Sequence, residues 1–361
     1  MKQIKIGVIG LGERGRQLAT LFSEQENVLL SAVCDRKPEC LLTAKKQLEE
    51  KGAKNLQCFE DAEGIFRSDV DAVCIATDGT YHLPLVVRAL NAGKHVLSEI
   101  PAINSLDEAK QLKEVTKQHP DLTYMIAENC CYWAFIQAWK TMYEEGRLGE
   151  IVYAEGEYLH AKDFREYLQE DGPVDDWRRS YPAIQYITHS LGPLLYLMND
   201  RCTGVTCLES DIIYNPYKQN SQNGVALLKT EKGAIIKILI SFGAYVGFDH
   251  NYRLLGTKGT VETDRTKPLY QAHSFGSFSE IPGSLEEKID IPVTLQFPGE
   301  SEEENHGGAD RKMIAEFVTC ISENKKPSLD VDLAIQMALP GIFAHESAKM
   351  GGIPMEIPII E

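Results

Sequence analysis

Along residues 3–128 the apolar positions fall into short runs separated by stretches of helical spacing. Ile4–Ile9 is such a run, and glycines end it. Val28–Cys34, Asp71–Ala76, His95–Leu97 and Tyr124–Ala127 repeat the pattern. Short apolar runs of this kind read as buried strands. Arg14–Ser23, Leu83–Ala92 and Ser105–His119 carry helical spacing between them. The last opens on Ser105-Leu-Asp-Glu108, a capping box. Strands alternating with helices predict βαβ units and a parallel sheet.

The pattern changes past residue 128. Trp133–Gly146 reads as a connecting helix. From Ile151 onward, alternating or apolar stretches recur at Gly204–Tyr214, Gly224–Lys229, Ala234–Phe242, Asn251–Leu255 and Gly259–Thr263. Glu231-Lys232-Gly233 separates two of them and suits a hairpin turn. Helical spacing returns at Ala309–Glu323 and Asp330–Met350, and Glu302–Glu304 reads as a solvated loop. Two domains are expected, residues 1–128 and residues 129–361.

The 361 residues carry 37 basic and 53 acidic side chains, a formal charge of −16. That balance argues against nucleic acid or an anionic membrane as partner, because both attract Lys and Arg. No apolar run approaches the roughly 18 residues of a bilayer span. The strand pattern begins within a few residues of Met1, where a signal peptide would carry an apolar core and cleavage site. Nine cysteines are scattered without a C-x-x-C pair. Free thiols in a reducing cytoplasm are expected, and no metal site.

The first strand–helix turn reads Gly10-Leu-Gly12-Glu-Arg14-Gly15. After a strand and before a helix, this spacing suits a dinucleotide. Gly10 allows the tight turn, Gly12 the approach of the pyrophosphate and Gly15 the helix–strand contact. The pyrophosphate rests on free N–H groups at the helix start. Asp35 follows Gly15 by 20 residues, at the end of the second strand. A carboxylate there accepts hydrogen bonds from a ribose diol and repels a 2′-phosphate, favouring NAD over NADP. The adjacent Arg36 pulls the other way.

Val73–Thr77, His82, Ala92–Val96 and Glu99-Ile-Pro101 together resemble the Gfo/Idh/MocA family of nicotinamide-dependent oxidoreductases. The resemblance implies an N-terminal Rossmann doubly wound parallel sheet plus a C-terminal α+β domain with a large, mainly antiparallel open sheet. It adds Arg14, Thr77, His82, Glu99 and Asn129 to the cofactor contacts, with Glu99 and Asn129 orienting the nicotinamide ribose. Many members carry a catalytic Lys after the Glu. Ile100 stands there and can neither give nor take a proton. Gln185 replaces the common Asp four residues before His189.

Glu99-Ile-Pro-Ala102, Glu128-Asn-Cys-Cys-Tyr132, Gly149–Glu155 with Tyr158-Leu-His160, and Thr188-His-Ser-Leu-Gly-Pro193 are similar to glycoside hydrolase family 109. Its members keep NAD bound and cleave glycosides by redox chemistry, and known ones act on α-N-acetylgalactosaminides. The family's Tyr-Pro-Thr-His is Tyr186-Ile-Thr-His189 here.

The substrate side is read from strand and helix periods. Ala154, Gly156, Tyr158 and His160 share one face of an extended segment, so a ligand could lie over the small residues beside a phenol and an imidazole. Ala183–Asn199 reads as a helix despite Gly192-Pro193, which brings Gln185, Tyr186 and His189 to one face. His189, Tyr186 and Tyr158 are the catalytic candidates. Arg178 and Arg179, in Asp176-Trp-Arg-Arg179, join Tyr158, His160, Tyr186 and His189 as substrate contacts. The resemblance implies oxidation of a pyranoside hydroxyl at C3, coupled to redox-neutral cleavage. A simple sugar or polyol dehydrogenase making NADH is the alternative, and a non-catalytic sugar- or nucleotide-sensing protein is a second. A small carbohydrate is the expected partner, and a homodimer or homotetramer is expected from the family.

Overall fold

The computed structural model describes residues 3–160, 168–169, 172–173, 177–212, 219–244, 249–266, 274–279, 288–291 and 305–361. The chain forms two compact units. One comprises the chain up to Glu128 with Asp310–Ile335 and Ile360–Glu361, the other Asn129–Ala309 with Gln336–Ile359. Residues 310–335, read from sequence with the later part of the chain, thus pack within the first unit.

The first unit holds strands β1 (Ile4–Ile9), β2 (Val28–Cys34), β3 (Gln57–Phe59), β4 (Ala72–Ile75), β5 (His95–Ser98) and β6 (Tyr124–Ile126). Helices α1 (Glu13–Ser23), α2 (Pro38–Glu50), α3 (Ala62–Arg67), α4 (His82–Asn91) and α5 (Leu106–Gln118) alternate with them. The strands pair in parallel in the order β3-β2-β1-β4-β5-β6. This is the doubly wound dinucleotide-binding order, with its switch point beside β1. Helices cover a parallel sheet on both faces, so its strands are mostly apolar. Ile6, Val8, Val73, Cys74, Ile75 and Leu97 are accordingly buried. At the β6 edge, the Ile126 N–H donates to Leu329 O at 3.1 Å, which protects an otherwise open strand. Ser105 caps α5 by accepting from the Glu108 N–H at 3.1 Å. The returning Glu108 carboxylate takes the Asn104 N–H at 2.6 Å, one residue before the usual capping-box partner.

The second unit opens with α6 (Ala134–Glu144) and β7 (Ile151–Leu159), then a small pair, β8 (Leu168–Gln169) and β9 (Gly172–Pro173). Next come α7 (Thr188–Met198), β10 (Cys202–Glu209), β11 (Asn223–Thr230), β12 (Ile235–Ser241), β13 (Asp249–Gly256), β14 (Gly259–Thr263), β15 (Ser274–Phe278) and β16 (Ile289–Asp290). Helix α8 (Ala309–Glu323) belongs to the first unit from Asp310, α9 (Val331–Lys349) to the second from Gln336, and β17 (Met355–Glu356) closes the chain. The nine-stranded sheet runs β16-β15-β14-β13-β7-β12-β11-β10-β17. Its described pairings are antiparallel except β7 with β12. Strand β11 alternates strictly. Gly224, Ala226, Leu228 and Thr230 are buried, whereas Val225, Leu227 and Lys229 face outward.

Candidate active site

In the first unit the cradle is made of backbone. Gly10 has φ +92°, and a Cβ there would fall 2.6 Å from Ala76 O. A Cβ at Gly15 would fall 1.8 Å from Gly10 O. These two glycines let α1 and the end of β4 approach the loop. Gly12 differs, because a Cβ there would meet no protein atom within 4 Å. It is the N-cap of α1, and no side chain caps that helix. Its first-turn N–H groups therefore have no intrahelical acceptor and no side-chain cap. An open approach to uncapped N–H groups fits a pyrophosphate.

Asp35 ties this loop down. Its Oδ2 accepts the Leu11 N–H at 2.6 Å and its Oδ1 the Lys37 N–H at 2.8 Å. Each carboxylate oxygen has a second lone pair for a ribose hydroxyl. Arg36 lies 5.4 Å from the Tyr81 ring centre and 3.7 Å from Asp78. Beside Asp35, burial and nearby Asp35 and Asp61 push the Cys34 thiol up to about 12, so it stays protonated.

Arg14, expected among the cofactor contacts, is committed within the protein. Its Nε donates to Glu99 at 2.6 Å, and its two terminal nitrogens donate to the two oxygens of Asp310, each at 2.7 Å. It orients Glu99, whose other oxygen accepts the Ile100 N–H at 3.3 Å. His82 is also a brace. The ring is buried, with Nε2 2.9 Å from Thr77 O and Nδ1 3.0 Å from Pro101 O. It joins the loop after β4 to the cis Ile100–Pro101 turn after β5. The Thr77 hydroxyl donates to Asp78 O at 3.3 Å.

In the second unit the site is built from side chains. Tyr158 on β7 lies at the centre of a ring cluster. Tyr186 stacks on it at 5.8 Å between centroids, and His189 meets it edge-on at 5.2 Å. His160, also on the β7 segment, lies 5.7 Å away. Tyr186 and His189 are 5.2 Å apart. The sequence candidates Tyr158, His160, Tyr186 and His189 are thus brought together. Arg178 stacks on Trp177 at 4.7 Å. Trp177 meets Tyr181 at 4.8 Å, and Tyr181 meets Tyr186 at 6.3 Å, so a row of rings connects that turn to the cluster. The backbone carbonyl of Arg179 accepts the Gln219 N–H at 2.9 Å. Asp176 and Glu302–Glu304 lie outside the described residues.

Two expectations change. Ala183–Asn199 is not one helix: a 3-10 turn at Ala183–Tyr186 precedes α7. Inside α7, Pro193 has no N–H to give to the His189 carbonyl. The Tyr252 hydroxyl donates to that carbonyl instead. The small residues on β7 also serve a different end. A Cβ at Gly156 would fall 2.6 Å from Ser190 O and 3.0 Å from Ile238 Cδ1. The bare face lets α7 press onto β7, and it is not open to a ligand.

Sequence patterning missed five members of the cluster. His250 lies 4.3 Å from Tyr158 between ring centres, and Phe242 lies 5.5 Å from it. Trp133 meets His250 edge-on at 4.9 Å. The Tyr252 hydroxyl is 3.4 Å from His250 Nδ1. Cys130 Sγ is 3.4 Å from His189 Nδ1 and 3.5 Å from Asn129 Oδ1. One available signal was alternation in β13, where His250, Tyr252 and Leu254 share the buried face and His250 pairs in register with Tyr158.

A glycine-built dinucleotide cradle on a parallel sheet, followed by a unit with a large mixed sheet, defines a nicotinamide-dependent oxidoreductase. Residues 4–127 match the oxidoreductase family model with an NAD-binding Rossmann fold, and residues 136–262 match the Gfo/Idh/MocA C-terminal domain. The chain belongs to the Gfo/Idh/MocA family. Residues 216–360 also match the C-terminal domain of glycosyl hydrolase 109. A glycosyl hydrolase family 109 protein of Solibacter usitatus strain Ellin6076 is 28% identical, over 98% of this chain and 87% of its own. One from Porphyromonas gingivalis strain W83 is 27% identical, over 99% and 84%. Levoglucosan dehydrogenase, solved in complex with NADH and levoglucosan, shares the fold with a TM-score of 0.84 at 18% identity, covering 99% of this chain and 100% of its own. Among the described residues no helix is long and apolar enough to cross a membrane.

Proposed function

We propose that the chain binds NAD and acts on a pyranoside, oxidising a ring hydroxyl, at C3, and cleaving the glycosidic bond without net reduction of the cofactor. The observation that carries this reading is the cluster of two phenols and an imidazole, Tyr158, Tyr186 and His189, within 5.2–5.8 Å of one another. It stands in a chain that has Ile100 where many relatives of its family carry a catalytic ammonium group. Gly10, Gly12, Gly15, Asp35, Glu99 and Asn129 are the residues that would hold the cofactor. Asp35 with Arg36 drawn towards Asp78 and Tyr81 favours NAD over NADP. Bound there, the nicotinamide supplies a reversible hydride acceptor.

The chain's own groups then handle protons. His189 accepts the proton of the hydroxyl as its carbon loses hydride. The resulting ketone acidifies the neighbouring C2–H. One of Tyr158 and Tyr186, as phenolate, would take that proton and expel the C1 substituent, whose oxygen would take a proton from the phenol of the other. Water would then add its hydroxide to C1 and its proton to the tyrosine that protonated the leaving oxygen, C2 would regain a proton from the other tyrosine, and His189 would return its proton to the ring oxygen as that carbon regains hydride. Protons and electrons balance, with one glycosidic bond exchanged for water. The rings of Trp177, Tyr181 and Tyr186 offer apolar faces to a sugar, and Arg178 and Arg179 offer donors.

Leu208, Val225, Leu227 and Ile235 are exposed apolar residues on the outer face of the large sheet. They support a homodimer that pairs these faces. A mass measurement in solution that finds monomer at micromolar concentration would remove that part.

The activity is tested with a panel of p-nitrophenyl pyranosides, following released nitrophenol and NADH together. Release of nitrophenol without accumulating NADH supports the reading. One NADH per oxidised sugar with no nitrophenol makes the protein a simple dehydrogenase, and sugar binding without either product makes it a sensor.

A further inference from the structure

We infer that Gly341 of α9 is a positioning residue for the reaction: its missing side chain lets α9 seat the turn that carries Tyr186 and His189. This rests on the reading of those two residues as proton-handling groups. Gly341 lies inside the 19-residue α9, directly after Pro340, and both are buried. Neither serves the helix. Glycine inside a helix is destabilising relative to alanine, and proline removes a helical hydrogen bond. What Gly341 gives in return is close approach. A Cβ there would fall 2.8 Å from Ile187 Cγ2, 3.1 Å from Gln185 Cα and 3.1 Å from Ile184 O. Two of these three atoms are backbone, which cannot swing aside as the end of a side chain can. Ala338 and Ala344, one turn before and after on the same face, are small and buried as well.

The helix thus comes down on the backbone of the turn itself. Tyr186 follows Gln185 directly, and Ile187 precedes Thr188 and His189. Ile187 is also the N-cap of α7, and its carbonyl accepts the N–H groups of Ser190 and Leu191 at 3.0 and 2.8 Å. A displacement at Ile187 is therefore carried into the first turn of α7, where His189 stands.

The large sheet holds the same turn. A Cβ on Gly224 of β11 would fall 3.1 Å from Ile184 Cβ, and the Ala183 N–H donates to Ser221 O at 3.2 Å. Ile184 and Ile187 are fully buried, so the turn has little room to give. Tyr158 stands on β7, to which none of the three atoms facing Gly341 belongs. Added bulk at Gly341 therefore moves Tyr186 and His189 against a Tyr158 that stays in place. Reaction rates are steep in such distances, a misplacement of about 1 Å costing roughly 10²-fold.

Ring-proton NMR of the histidines reads the geometry apart from activity, in protein saturated with NAD, with the His189 signal assigned by its loss in His189→Gln. The rings of Tyr158 and Tyr186 lie edge-on to His189 at 5.2 Å, so their ring currents make its resonance sensitive to small displacements. In Gly341→Ala this resonance should move while those of His82 and His95 stay. With a p-nitrophenyl pyranoside, kcat and kcat/KM should fall together by roughly tenfold, and the Kd for NAD should stay within about twofold. Gly224→Ala presses the same turn through Ile184. It should move the same resonance, and it carries the test if Gly341→Ala does not fold. A His189 resonance that stays put in each variant that folds overturns the inference. So does a moved resonance with wild-type kcat where His189→Gln is inactive. An NAD affinity that falls as far as kcat overturns it too, because Gly341 would then serve the fold alone. Full turnover in His189→Gln, or no turnover of any p-nitrophenyl pyranoside, overturns the underlying reading instead, and the resonance still decides whether Gly341 seats the turn.

Discussion

The two units build their sites from different material. In the first, the cradle is backbone: three glycines within six residues, a helix start without a side-chain cap, and a carboxylate that accepts N–H groups from the loops after β1 and β2. In the second, the cluster is side chain, gathered from residues 130–133, β7, the 183–186 turn, the start of α7, residue 242 and β13. Backbone sites tolerate changes at neighbouring side chains and fail when a Cβ is added. Side-chain sites do the reverse, losing chemistry while the fold persists.

The largest effect expected is on the side-chain site. His189→Ala should cost roughly 10²–10⁴ in kcat, with NAD affinity by calorimetry within twofold of wild type. A parallel loss of NAD affinity would blur the division. The next contrast lies inside the backbone site. Gly15→Ala drives a Cβ into Gly10 O and should destabilise the protein by roughly 3 kcal/mol, losing NAD binding with it. Gly12→Ala meets no protein atom, so stability should hold within about 0.5 kcal/mol, while NAD affinity falls by roughly tenfold or more. Thermal melts with and without NAD separate the two. Equal melting losses would show that Gly12 serves the fold and not a ligand.

Arg14 tests a feature shared by neither description, a charged brace behind the cradle. Arg14→Ala strands the carboxylates of Glu99 and Asp310 and should cost roughly 3 kcal/mol in denaturant unfolding. A cost below about 1 kcal/mol would mean that water replaces the pair.

The smallest expected effect concerns pH. Burial lowers the pKa of His95 against the opposing influence of Asp71. Its Nδ1 accepts the Thr123 N–H at 2.8 Å, a bond the protonated ring cannot accept. The native state therefore binds fewer protons than the unfolded one. This contribution is whole above about pH 6.5 and is lost as pH falls through the lowered folded value. Melting temperature should decline from pH 7 towards pH 5, with a shallower slope in His95→Gln. An unchanged slope would place the pH sensitivity elsewhere.

The same contrast explains what could be read in advance. A backbone site needs glycines at fixed spacing, and Gly10, Gly12 and Gly15 are contiguous in sequence, so strand, turn and helix could be placed with them. Strands β1 and β2 were visible because both are mostly buried and mostly apolar, with Lys5 and Ser31 the polar exceptions. Strand β3 has three residues, too few for any period to register. The side-chain site was half legible. Tyr158 and His160 share a strand, and Tyr186 and His189 are three residues apart, so local periods bring each pair together. His250 and Phe242 reach the cluster through sheet register between strands distant in sequence, which no local period encodes. Gly156 misled because a small residue on a strand face admits a helix as readily as a sugar. The bonds of Arg14 to Asp310 were not legible because that partner lies 296 positions away.

In the proposed reaction, oxidation at one ring carbon loosens the bond at another. Turnover of a cleavable pyranoside in heavy water, with the released sugar examined by proton NMR, tests it most directly. Deuterium at C2, with no NADH left over, is the predicted result. A released sugar whose C2 hydrogen is wholly retained would contradict it.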